Sequence, residues 1–337
     1  SASRCSKMSS ENETRPPAPA LPPLIAVVGP TAVGKTALAI RLALALDGEI
    51  VSADSRQVYQ GMDIGTAKST AAERALVPHH LLDIAPPEQA LTLAEFRDLA
   101  YQAIDDITRR GRLPFLVGGS GQYVRAVLEG WTLTAIAPDP DLRLRLEADA
   151  IRHGAAALHE RLAVLDPVAA AAIDGRNVRR VIRALEVCLT STQPISQLQT
   201  RQPPPYRVWQ VGLQRPVADL YARLDARVDA MLAQGLVAEV QQVRQRVLGL
   251  GLQATQPALT GLGYREIGQY LVGDLTLDAA VVEIKRNTRR FVRQQRNWFR
   301  ATNPAIHWYE AEPDPTARIL AGIHGWLTAS ALRADEC

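Results

Sequence analysis

The sequence predicts an α/β fold: a phosphate-loop (P-loop) parallel sheet core flanked by helices, with a helical insertion domain and a helical C-terminal part. Two observations carry this. Short apolar runs, each followed by a glycine-rich or polar turn and then a helical period, recur from Leu24 to Leu128, as expected where helices cover both faces of a parallel sheet. After Trp131 the strand signal stops, and residues 139–193 are almost all helical in period.

The elements follow in order. Leu24 to Val28 is apolar and rich in β-branched residues, hence a strand. Thr36 to Leu46, with Arg41 as its lone cation, is a helix. Glu49 to Ala53 is a second strand that ends at Asp54. Leu93 to Arg110 is amphipathic at helical spacing. Leu113 to Val117 is a third strand, and a helix from about Gln122 to Leu128 follows its glycine turn. In the 139–193 stretch, Asp166-Pro167 and Asp174-Gly175 break the helical run. Thr192 to Pro205 is a polar, proline-rich connector. Arg207 to Gly212 returns to strand, Pro216 to Arg246 to one or two helices, and Ile306 to Tyr309 is a final short strand. The domain boundaries follow: a disordered tail over 1–22, a core over 23–132 and 206–315, an insertion over 133–205 and an extension over 316–337.

Composition narrows the class. The 337 residues suffice for a core plus a smaller domain. Net charge is only +3, so bulk charge does not mark a nucleic-acid binder, and the distribution of charge has to be read instead. Cys5, Cys188 and Cys337 are far apart with no CxxC pair, which argues against a disulfide framework or a zinc site and fits a reducing compartment. No run of 18 uncharged apolar residues occurs, and the N-terminal segment lacks the apolar stretch of a signal peptide. Five prolines between Pro16 and Pro23 read as part of the tail.

The chemistry starts at Gly29, Pro30, Thr31, Ala32, Val33, Gly34, Lys35 and Thr36. This is G-x-x-x-x-G-K-[ST], the motif of nucleotide-binding and ATP-binding loops, directly after a strand and before a helix. Inward-turned amides and the helix N-terminus make an anion cradle. Lys35 adds a point charge and Thr36 a hydroxyl for Mg²⁺. The motif specifies phosphate without specifying ATP. Asp54, at the carboxyl end of the next strand, faces the ligand crevice of such a sheet. It suits a general base or a metal-bound carboxylate, and equally a helix cap or turn residue. Ser55, Arg56, Gln57 and Tyr59 beside it are rich in hydrogen-bonding groups. Gly118-Gly119-Ser120-Gly121 lies at the same sheet edge and either adds amides and a hydroxyl or forms a tight turn.

Two basic faces stand out against the small net charge. Arg176, Arg179, Arg180 and Arg183 share one helical face. The segment 285–300 carries seven cations and no acid. Like charges one turn apart cost roughly a few tenths of a kcal/mol each, which a polyphosphate partner would offset.

Seven stretches then carry a resemblance: GPTAVGKT (29–36), DSRQVYQGMDIGTAK (54–68), PHHLLDI (78–84), GGSGQYV (118–124), RRVIRALEV (179–187), GLGYREI (261–267) and TRRFVRQQRNWFR (288–300). In this order they resemble the tRNA dimethylallyltransferases, also called tRNA isopentenyltransferases or IPP transferases. The resemblance implies transfer of a dimethylallyl group from dimethylallyl pyrophosphate to N6 of adenosine 37 beside the anticodon, with Mg²⁺. It implies a cytoplasmic monomer acting on tRNAs that read codons beginning with U. It assigns the pyrophosphate to the 29–36 loop and the role of general base to Asp54. Ser120 stands where many members have Thr, near the pyrophosphate, and Arg223 and Arg227 match arginines at the donor site. tRNA contacts carry over to Asp54, Ser55, Arg56, Gln57, Ser120, Arg143, Arg179, Arg180, Arg183, Gly263, Tyr264, Arg265, Thr288, Arg289, Arg290, Arg293, Gln294 and Gln295, with the insertion gripping the anticodon stem. Two alternatives remain open at this point: a P-loop small-molecule kinase and an isopentenyltransferase acting on free AMP or ATP.

Overall fold

The computed structural model describes residues 21–132, 136, 139–191, 193–198, 201–202 and 204–335. Nearly all of the expected tail therefore lies outside the described residues. The first half of the chain forms β1 (Pro23–Val28), α1 (Lys35–Ala45), β2 (Gly48–Ser52), α2 (Ala71–Leu76), β3 (His79–His80), α3 (Leu93–Arg109), β4 (Leu113–Gly118) and α4 (Gly121–Leu128). α5 (Pro140–Leu165), α6 (Pro167–Ala172), α7 (Val178–Thr190) and α8 (Ile195–Leu198) follow. The chain then returns through β5 (Arg207–Gln214), α9 (Val217–Ala233), α10 (Leu236–Gly249), α11 (Tyr264–Leu271), α12 (Leu277–Trp298), β6 (Ile306–Glu310) and α13 (Thr316–Asp335).

Among the described residues the strands make one sheet in the order β3-β2-β4-β1-β5-β6, parallel at every pairing. Parallel neighbours need crossover connections, and the helices supply them on both faces. Leu24 to Val28 are accordingly without exposure on either side. The register sets up the site. Val28 pairs with both Gly118 and Gly212, and Ser52 with Val117. The loops leaving β1, β2 and β4 thus emerge level at one edge.

The predicted strands and helices are present, with ends shifted by up to three residues, and the 216–246 stretch is two helices that part at Gly235. The sequence reading lacked the two-residue strand β3 and the short helix α2, capped by Thr70 and Glu73 in a reciprocal box. It also lacked a break at Gly154, whose φ of 87° and ψ of 160° interrupt α5. Such a backbone suits glycine alone, so the long helical period reads through it.

The insertion helices bury a cluster of their own. Leu146, Leu158, Leu162, Val181, Ala184 and Leu185 are 0–4% exposed. Asp166 ties the break together: its carboxylate accepts from Ala169 N–H and Ser196 N–H, both at 2.9 Å. α13 (Thr316–Asp335), in the stretch set apart by sequence as an extension, packs on the core. Ile319 and Ile323 are fully buried with Leu38, Leu42 and Val211.

Candidate active site

The phosphate loop leaves β1 at Gly29 and enters α1 at Gly34. Gly29 has φ 144° and Gly34 φ 110°, backbone that a side chain would strain. A Cβ on Gly29 would also stand 2.5 Å from the Leu213 carbonyl. Gly34 caps α1 with no side-chain hydrogen bond, which leaves the first-turn amides of the helix for a ligand. Val33 turns into the core at 0% exposure, so this position contributes backbone alone. Lys35 Nζ donates to the Pro30 carbonyl at 2.8 Å. Burial lowers its pKa to about 8, with Asp54 opposing and Arg227 reinforcing the shift. An anion arriving in the loop would restore the charged form.

Asp54 lies two residues past the end of β2, after Ala53. Its Oδ1 accepts from Arg56 N–H at 2.8 Å and Gln57 N–H at 3.4 Å. The turn reading of this residue is therefore correct, and it does not compete with the chemical one: the turn holds one oxygen and fixes the carboxylate. Gln57 donates to the Thr66 and Ala67 carbonyls, each at 3.2 Å, and so ties the Asp54 turn to the loop carrying Gly65 and Thr66.

Two cavities meet at this turn. One, of about 580 Å³, is bordered by Thr31, Gly34, Lys35, Thr36, Gly119, Arg223 and Arg227. The other, of about 290 Å³, is lined by Leu224, Val228, Met231, Leu236, Ile284 and Phe291, and also by Ser120, Gly263, Tyr264 and Thr288. Thr31, Asp54, Thr66 and Arg227 border both. Both linings are mixed: the chamber that holds the loop, Lys35 and two arginines, called polar below, suits phosphate, the one with the aliphatic wall, called apolar below, suits hydrocarbon or a base, and the two share a carboxylate and a guanidinium. Burial lowers the Arg227 pKa while Asp54 opposes that. Arg223 borders only the polar chamber of the two, and its Nε donates to the Ala32 carbonyl at 3.2 Å.

Several of the expected site residues have partners within the protein. Ser120 borders the apolar chamber, and its Oγ accepts from Ser55 N–H at 3.1 Å, which ties the second loop to the Asp54 turn. Arg56 donates to the Pro257 carbonyl. Tyr264 is 1% exposed, with its hydroxyl on Glu239 at 2.5 Å, and it forms part of the wall of the apolar chamber. Arg265 is exposed and pairs with Glu266. Arg289 pairs with Asp225. Gln295 is 3% exposed and points inward. The exposed cations of α12 are Arg286, Arg290, Arg293 and Arg296, with Gln294 exposed beside them and Arg300 exposed just past the helix end. On α7, Arg179 and Arg180 are exposed, whereas Arg143 and Arg183 both bond the buried Glu186.

Glu239 escaped the sequence reading. Its Oε2 accepts from Asp63 N–H at 2.9 Å and Ile64 N–H at 2.7 Å, and its Oε1 from Gly65 N–H at 2.9 Å. One carboxylate thus shapes the loop that carries Gly65 and Thr66. Nothing local marks it, since its partners lie about 175 residues away. The apolar wall was readable: Leu224, Val228 and Met231 sit at helical spacing.

Among the described residues no three His, Cys, Asp or Glu gather into a metal cluster. Mg²⁺ typically takes one or two protein oxygens and completes its shell with phosphate and water. The Thr36 hydroxyl and the Asp54 carboxylate on the polar chamber fit an ion held chiefly by a diphosphate.

A family model described as IPP transferase matches residues 57–302. A tRNA dimethylallyltransferase of Roseiflexus sp. (strain RS-1) is 57% identical over 307 residues, covering 91% of this chain and 99% of its own. One of Dehalococcoides mccartyi is 45% identical over 311 residues, covering 92% and 94%. Among solved structures, the full-length tRNA isopentenylpyrophosphate transferase of Bacillus halodurans aligns over 93% of this chain and 98% of its own, at 42% identity and a TM-score of 0.66. A eukaryotic dimethylallyltransferase acting on tRNA, at 24% identity and a TM-score of 0.77, shares the fold. The phosphate-loop sheet, the paired chambers and these matches agree, and the chain belongs to the IPP transferase family.

Proposed function

We propose that the protein transfers a dimethylallyl group from dimethylallyl pyrophosphate to N6 of adenosine 37 in tRNA, giving N6-(dimethylallyl)adenosine and pyrophosphate. The observation that carries this reading is the position of Asp54 between the polar and the apolar chamber.

The diphosphate sits in the polar chamber against the loop amides from Ala32 to Thr36, with Lys35 and the Thr36 hydroxyl. The adenine and the five-carbon group meet in the apolar chamber, reached past Thr288 and Phe291. The amine of adenine is a weak nucleophile because its lone pair is delocalised into the ring. The allylic C–O bond breaks readily once the departing charge is neutralised, and Lys35, Arg227, Arg223 and the loop amides are fixed in advance to do that. As the N6–C bond forms, Asp54 takes the amine proton and pyrophosphate departs with the C–O electron pair. Mg²⁺ bound to the diphosphate would supply further neutralisation of its charge. Extruding the base costs about a few kcal/mol, which backbone contacts from the exposed arginines of α12 and α7 offset.

A kinase or an enzyme of free adenylates has no use for the insertion or the α12 arginine row, so those readings fit less of the chain. The tRNA set reading codons that begin with U, the monomeric state and the cytoplasmic setting belong to the same proposal. No described helix is long and apolar enough to cross a membrane. Incubation with dimethylallyl pyrophosphate and unmodified tRNA, followed by nucleoside mass analysis, tests the reading. The expected outcome is one prenylated adenosine at position 37. Transfer of a γ-phosphate from ATP to a small acceptor, with no prenylated nucleoside, would overturn it.

A further inference from the structure

Gln295 stands in a helix segment dominated by exposed arginines, yet it is 3% exposed. Its Oε1 accepts from Thr31 N–H at 2.9 Å. Its Nε2 donates to the Gly119 carbonyl at 2.8 Å. A carboxamide offers an acceptor and a donor on one planar group, and here each faces the partner it needs. The two partners belong to the phosphate loop and to the second glycine loop. Thr31 borders both chambers, and Gly119 borders the polar one. The packing is close: a Cβ on Gly119 would meet Gln295 Nε2 at 2.6 Å and stand 3.4 Å from Lys35 Nζ.

We propose that Gln295 is a positioning residue for the diphosphate, a clamp that sets the phosphate loop against the second glycine loop, and not a tRNA contact; as a role in catalysis this rests on the prenyl-transfer reading above. Amides bind a diphosphate well only if they are aimed before it arrives, because ordering a loose loop subtracts from affinity. Without the carboxamide, Thr31 loses the bond that aims its stretch of the loop. The Gly119 carbonyl becomes a bare acceptor beside Lys35 and competes with the diphosphate for the ammonium. A carboxylate at 295 keeps the Thr31 bond, but it sets a second oxygen against the Gly119 carbonyl and adds negative charge next to the anion site.

The test compares Gln295→Met and Gln295→Glu with the unchanged chain. It measures inorganic pyrophosphate binding by calorimetry, KM for dimethylallyl pyrophosphate and for tRNA, and thermal melting. The expected result is pyrophosphate affinity weakened about tenfold in Gln295→Met, the scale of two lost neutral hydrogen bonds. The loss is larger in Gln295→Glu, donor KM rises in parallel, and tRNA KM is unchanged in both. Pyrophosphate affinity at the original level overturns the proposal. So does a raised tRNA KM with donor KM unmoved, which would return Gln295 to the tRNA face. If Gln295→Met does not fold, Gly119→Ala presses on the same contact from the other side, and its full pyrophosphate affinity would equally overturn the clamp. An unchanged chain that binds pyrophosphate but prenylates nothing sinks the proposed reaction, while the binding arm still decides the clamp.

Discussion

Arg143 grips Glu186 with two hydrogen bonds, Nε–H to Oε1 at 2.9 Å and Nη2–H to Oε2 at 2.8 Å. Glu186 also accepts from Arg183 and from Asp139 N–H, the latter at 2.7 Å. Its side chain has no exposure. The carboxylate thus holds two of the arginines expected at the tRNA face in fixed orientation, each still partly open to solvent.

Removing that anion should destabilise the insertion. Burial alone would raise the Glu186 pKa, but the bonds from Arg143, Arg183 and Asp139 outweigh it and the net shift is downward. Breaking a buried pair from one side costs about 3–5 kcal/mol, so Glu186→Ala should lower unfolding stability by about 3 kcal/mol in denaturant titration. The folded pKa is depressed, so this stability is present above the unfolded value and is lost as pH falls through the folded one. The acid limb of the stability curve should be shallower in Glu186→Gln than in the unchanged chain.

Asp54→Ala should cut transfer by about 10²–10⁴-fold, the range for a lost general base, with tRNA affinity largely kept. Single-turnover prenylation beside filter binding checks both. Near-normal turnover would remove Asp54 from the mechanism.

Lys35 gives a pH signature. With its pKa lowered to about 8 in the free protein, it is largely charged at neutral pH and loses its proton as pH rises through that value. Pyrophosphate affinity should therefore weaken as pH rises above about 8, and binding there should take up a proton. Calorimetry in buffers of different ionisation heat measures that uptake. Lys35→Met should abolish it and weaken binding at neutral pH. The stability sign also follows: a lysine lowered in the folded state makes the unfolded chain bind more protons, so its contribution to stability grows as pH rises from about 8 towards the ordinary lysine value.

The arginines of α12 should not act alike. Arg290 and Arg293 are exposed, and each replaced by Ala should reduce the log–log salt slope of tRNA binding by about 1. Arg289 is held by Asp225, and its guanidinium lies 5.4 Å from the Tyr221 ring centre. Arg289→Ala should change the slope less and melting temperature more. Equal slopes for all three variants would contradict the assigned faces.

The sequence by itself determined the sheet, the glycine loop, Asp54 at the next strand end and the arginine rows. Each is written in local spacing: runs of apolar residues, a fixed motif, a helical repeat of charge. The tertiary structure decided which way those side chains point and what shares a wall with what. Gln295 and Arg293 are two residues apart, yet one clamps two loops inside the core and the other faces solvent, because a helix turns about 100° per residue and only packing says which side is in. Glu239, Glu186 and the meeting of two chambers at Asp54 depend on partners brought from distant segments. No local pattern encodes such pairings, since they exist only once the strands set their loops level at one edge.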